Sequence, residues 1–177
     1  MREPMSQPRF FLKTLQPLCV VVLALLLSAC ASKRYTYRYR AGYTASLENG
    51  IARAPDRAPQ AVHEAIAAGN RIAGLPYRRG GGHGVLEDNA YDCSGSVSCV
   101  LRGAGKLRTS MPSNAFRKYG KSGEGKWITV WARKGHVFVV VAGLRFDTGW
   151  DNSSEGPRWT TRSRPARGYV LRHPSGL

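Results

Sequence analysis

Cys93 lies in the run Tyr91-Asp92-Cys93-Ser94-Gly95-Ser96-Val97-Ser98-Cys99-Val100. An acidic residue, a cysteine and two small residues precede an apolar stretch, which is how a chain sets a thiol at a helix start. There the unpaired backbone N–H groups and the helix dipole favour a thiolate, the form that attacks carbonyl carbon. A thiol also needs a base. Some forty residues on, His136 opens the apolar run Val137-Phe138-Val139-Val140-Val141, and Asp147 closes Leu144-Arg145-Phe146-Asp147 after a turn at Ala142-Gly143. Cysteine, histidine and carboxylate make a set of nucleophile, base and orienter.

These residues imply the elements that must carry them. Val97, Val100, Leu101 and Ala104 recur at helical spacing, with Asp92 or Ser94 available to cap the start and Gly103 and Gly105 to end it. Trp127 to Ala132, His136 to Val141 and Leu144 to Thr148 read as a three-stranded meander, whose tight second hairpin returns Asp147 toward the level of His136. Upstream, Ala61 to Asn70 reads as an amphipathic helix, and 75–84, with Gly80-Gly81-Gly82, as a loop whose backbone can lie close to a ligand. Ser113-Asn114 can cap a short helix at 115–119, and 168–172 reads as a last strand. His83 in the glycine loop is expected to meet substrate or solvent. Asp151 and Asn152 are spare candidates for the orienting position.

The stretches Gly74-Leu75-Pro76-Tyr77, Gly80-Gly81-Gly82, Asp92-Cys93-Ser94-Gly95 and Gly135-His136-Val137 together resemble the NlpC/P60 family of cell-wall cysteine peptidases, over roughly residues 62–150. The resemblance implies an α+β, papain-like NlpC/P60 fold, with the catalytic helix packed on a small antiparallel sheet. It implies Cys93 as nucleophile and His136 as base. Asp147 stands where the family often has a second histidine. Tyr77 matches a tyrosine lining the substrate cleft, and Asp92 and Ser94 match positions that hold the free amine of the peptide stem. The implied substrate is the stem peptide of peptidoglycan, at the bond between γ-D-glutamate and the diamino acid.

The formal net charge is +16 in 177 residues, which calls for an acidic partner. The basic residues are scattered, and no zinc-finger or basic-helix pattern accompanies them, so we expect no nucleic-acid partner. Arg2, Arg9 and Lys13 precede the apolar run 18–27, then small residues: an export signal, short for a membrane span. Leu27-Ser28-Ala29-Cys30 resembles a lipobox, which implies lipidation of Cys30 and, with no Asp following, an outer-membrane anchor facing the periplasm. The expected organisation is a signal peptide over 1–29, a flexible basic tether over 30–60 and a catalytic domain over 61–177. Such a tether would reach ~30 Å. Within it, Lys33 to Arg40 alternates basic and aromatic residues, a pattern that also fits a strand or a segment lying on an anionic membrane or glycan.

Cys93 and Cys99 are six residues apart on one helix, ~9 Å along its axis, beyond disulfide reach. There is no His-Glu-x-x-His and no Cys-x-x-Cys, so we expect neither metal nor cofactor. The expected activity is a peptidoglycan endopeptidase of the cysteine type, acting as a monomer. A lipid-anchored wall-binding protein without turnover shares the charge and tether, and an amidase or acyltransferase shares the chemistry.

Overall fold

The apolar runs of 127–148 are nearly continuous rather than alternating, which is the mark of strands covered on both faces. The computed structural model describes residues 34–84, 87–149 and 155–177. The element order is β1 (Arg34–Tyr35), β2 (Ser46–Glu48), β3 (Ile51–Arg53), α1 (Gln60–Ile72), α2 (Cys93–Gly103), a 3-10 turn (Ala115–Lys118), β4 (Lys121–Ser122), β5 (Ile128–Arg133), β6 (His136–Val141), β7 (Leu144–Asp147), β8 (Arg158–Thr160), β9 (Arg164–Pro165) and β10 (Val170–His173). The α+β class expected from the sequence is what is found. The main sheet is antiparallel and six-stranded, in the order β4-β10-β5-β6-β7-β8, so the expected meander is its centre.

The two faces of β6 do different work. Val137, Val139 and Val141 point to a core shared with Ile128, Val130, Phe146 and the inner faces of both helices. Phe138 points the other way, into a second cluster with Tyr35, Trp131, Ala166, Tyr169 and Leu171. That second cover is supplied by β1, paired antiparallel with β9. The helices meet closely because Gly103 lies against α1: a Cβ on it would come within 2.4 Å of the Ala68 methyl.

Residues 34–60 are not a free tether. Tyr35 is buried, and its hydroxyl donates to the Gly143 carbonyl at 2.8 Å. The backbone N–H of Ala45 donates to Ala142 O, and β2 and β3 form a hairpin turned by Asn49 and Gly50, both at positive φ. Side-chain burial and strand pairing hold this segment on the domain that it was expected to tether. The signal peptide, Cys30, Asp151 and Asn152 lie outside the described residues.

Candidate active site

Asp92 is the N-cap of α2, which puts Cys93 in the first helical position. Its Oδ1 accepts from the N–H of Gly95 at 2.7 Å and the hydroxyl of Ser94 at 2.9 Å, and its Oδ2 from the N–H of Gly80 at 3.0 Å. His83 Nε2 lies 3.1 Å from both Asp92 Oδ1 and Ser94 Oγ. His83, expected to face substrate or solvent, is thus bonded to the helix cap. Burial works to raise the Asp92 carboxyl, but these donors together hold it below its usual value.

The glycine loop is pressed on this helix start. The Gly81 carbonyl accepts from Asp92 N–H at 3.2 Å. A Cβ on Gly95 would sit 2.0 Å from that carbonyl oxygen, and one on Gly82 would sit 2.4 Å from the Tyr91 ring. A parallel bridge between Tyr77 and Tyr91 then carries Tyr77 alongside. Its phenol is raised by burial and further by Cys93 and Asp92, whose charges it feels. Tyr77, Asp92, Ser94 and Cys93 therefore share one corner.

The backbone N–H of Val137, the residue after His136, works to lower the Cys93 thiol. Burial pushes this thiol up, and the carboxylates of Asp92 and Asp147 add to the rise. The N–H groups of Val137 and Ser94 oppose it without prevailing. Burial and the helix start thus work in opposite senses on this thiol.

His136 Nε2 lies 2.8 Å from Asp147 Oδ1. The ladder between β6 and β7 pairs Val139 with Phe146, so Asp147 stands by Phe138 and reaches His136 on the diagonal. Asp147 Oδ1 also accepts the Thr148 N–H at 2.8 Å, and its Oδ2 accepts from Arg145 at 2.5 Å and Arg164 at 2.6 Å. A carboxylate held by two guanidinium groups is an acceptor, so His136 donates to it through Nε2. The Tyr169 ring stands edge-on to the imidazole, with centroids 6.4 Å apart. Arg145 is fully buried; burial works against its cation, and Asp147 works for it.

The sequence reading missed Arg145 and Arg164. Arg145 alternates onto the face that also carries Asp147, a signal readable from strand period. Arg164 has no local signal, because β9 reaches Asp147 only through its pairing with β1. Cys99, six residues after Cys93, is a buried free thiol among the described residues. Among those residues no group of three His, Cys, Asp or Glu side chains could hold a metal ion.

No family model matches the chain. No curated protein matches it either. Among solved structures, a variant of the resuscitation-promoting-factor-interacting protein RipA, mutated at a cysteine, aligns over 74% of this chain and 72% of its own, with 21% identity and a TM-score of 0.45. A hypothetical invasion protein of Mycobacterium tuberculosis aligns over 78% and 72%, with 20% identity and a TM-score of 0.45. At this distance the likeness assigns neither family nor activity.

Proposed function

We propose that the chain is a cysteine peptidase of the bacterial envelope that hydrolyses an amide in the stem peptide of peptidoglycan, at the bond following γ-D-glutamate. The observation that carries this is the junction of α2 and β6: a thiol at a helix start, under the influence of the N–H that follows a histidine, which a buried carboxylate holds at 2.8 Å. The substrate class rests on the resemblance of Asp92-Cys93-Ser94-Gly95 and Gly135-His136-Val137 to the NlpC/P60 peptidases.

In this mechanism His136 Nδ1 takes the Cys93 proton as Sγ attacks the carbonyl carbon. Asp147 stabilises the imidazolium that forms. The Cys93 N–H and the Tyr77 hydroxyl receive the oxyanion. The proton passes from His136 to the leaving amine, and water, activated by the same imidazole, releases the acyl group from sulfur. Asp92 and Ser94 hold the free amine of the stem. Cys30 would carry a lipid that keeps the enzyme at the outer membrane.

The test is mass spectrometry of purified peptidoglycan fragments incubated with the wild-type protein and with Cys93→Ala. Cleavage within the stem by the wild type alone supports an endopeptidase and names its bond. Release of the whole stem from the sugar makes it an amidase. Intact fragments, with wall binding kept, leave a binding protein.

A further inference from the structure

Away from Cys93, the basic and aromatic residues of the N-terminal segment build a surface of their own. Two adjoining hollows, of about 340 and 450 Å³, share Arg38, Lys126, Trp127 and Gly143. Arg34 lines the first and Arg40 the second, and all four cations are exposed. Among the described residues Glu124 is the only carboxylate in the lining. The first hollow meets β6 at Val140, four residues or ~13 Å along the strand from His136, so it is not the Cys93 corner.

The rim is aromatic. Tyr39 is 63% exposed and Tyr43 39%, two of the four large apolar side chains exposed among the described residues. Tyr43 stacks on Trp127 at 13° between planes, Arg40 lies 4.2 Å from the Tyr43 ring centre and Lys126 5.9 Å from that of Trp127. Those ring faces are occupied by each other and by cations, whereas a sugar would need a ring face left open. Exposed tyrosines among Arg and Lys side chains instead suit the boundary between lipid headgroups and water. Arg34 follows Cys30, the residue that would carry the lipid, by four residues, a chain length of at most ~14 Å.

We propose that this groove docks on the phosphate headgroups of an anionic phospholipid surface, with Arg34, Arg38, Arg40 and Lys126 on the phosphates and Tyr39 and Tyr43 at the interface. Docking there fixes which way the domain faces from the membrane, independently of whether Cys93 is catalytic.

The test uses the full chain and flotation with two vesicle types, phosphatidylcholine alone and phosphatidylcholine with phosphatidylglycerol, at low and high salt. Two charge reversals are compared: Arg38→Glu with Lys126→Glu in the groove, and Arg117→Glu with Lys118→Glu on the 3-10 turn, both exposed pairs. They lower the net charge equally, and thermal melting checks that each variant folds. The wild type should prefer the anionic vesicles at low salt. A cation at such a surface is worth about five-fold in partition, so the groove pair, which loses two cations and gains two anions, should lose at least roughly twenty-five-fold while the control pair keeps the preference. Partition to phosphatidylcholine, a surface without net charge, should stay equal in all three. Equal losses from both pairs, or no preference for anionic vesicles in the wild type, would overturn the proposal. So would a groove pair that keeps its vesicle preference but loses binding to purified sacculi, which would make the occupant a glycan.

Discussion

Asp147 is one carboxylate shared by three cationic or hydrogen-donating side chains: His136, Arg145 and Arg164. It is nearly inaccessible, so its charge is what makes two buried guanidinium groups tolerable. Removing one partner of a buried ion pair costs roughly 3–5 kcal/mol, because the other charge stays behind. Asp147→Asn should therefore lose about that much in urea unfolding, and hydrolysis should fall by more than the folded fraction does, since His136 loses the acceptor that fixes its tautomer. A variant as stable as wild type would show that the arginines do not depend on this charge. Cys93 gives a second expectation. Its thiol is pushed up by burial, so at neutral pH the free thiol dominates, and alkylation by iodoacetamide should accelerate only above the ordinary thiol range. Rapid alkylation at pH 6 would contradict this. The sequence placed Cys93, His136 and Asp147 by spacing and hairpin return. It did not show that the thiol is half-buried, because the strand and loop beside it are distant in sequence. It hid the arginines for a related reason: Arg is ordinarily a surface residue, and only the assembled second cover makes these two internal.

The helix start is held by backbone packing that only glycine permits. The Cβ of Gly95→Ala would meet the Gly81 carbonyl at 2.0 Å, a backbone atom that cannot swing aside. We expect a loss of about 1–3 kcal/mol as the loop lifts, with the Asp92 bond to Gly80 N–H broken and substrate binding weakened more than turnover. Thermal unfolding and a KM-against-kcat comparison check both. On the opposite face, Tyr35→Ala removes a buried ring and its bond to Gly143 O, at about 3–5 kcal/mol. It also removes the ring that holds β1 on the sheet, so the β1–β9 pair should loosen, Arg164 should hold Asp147 less firmly and activity should fall with it. The 3-10 turn, the helices and the central strands were readable because each carries its own period and stops. The β1–β9 pair was not: Arg34 and Ser163 are hydrogen-bonded across 129 residues, and basic-aromatic alternation fits strand and tether equally. The β2–β3 hairpin did have a local signal, Asn49-Gly50 between short apolar runs, and it marks a strand pair where a linker was expected.

Across the molecule, burial sets the pH range of stability. Cys93 and Cys99 are raised above 9.0, and Tyr91 above 10.0, chiefly by desolvation, and Tyr119 is pushed up to about 12 in the same way. Tyr35 moves in the same direction by burial, against the pull of Arg145. In each case the folded state prefers the neutral form. That contribution is whole below the unfolded pKa and is lost as pH rises through the folded one. Asp88 and Asp92 act at the other end. The Gly82 N–H and Arg78 hold Asp88 at about 2, and the cap donors hold Asp92 below 3.8 against its burial. Their contribution is whole above the unfolded carboxyl value and is lost as pH falls through the folded one. The denaturation midpoint should then be flat from about pH 5 to 8 and fall on both sides, the alkaline fall beginning with the thiols near 9 and steepening with the phenols. Cys99→Ala separates the two alkaline steps: it removes one buried thiol outside the Cys93 corner, so its onset should be gentler while the phenol step stays in place. A curve that stays flat past pH 10 would mean that these phenols and thiols ionise without cost to the fold.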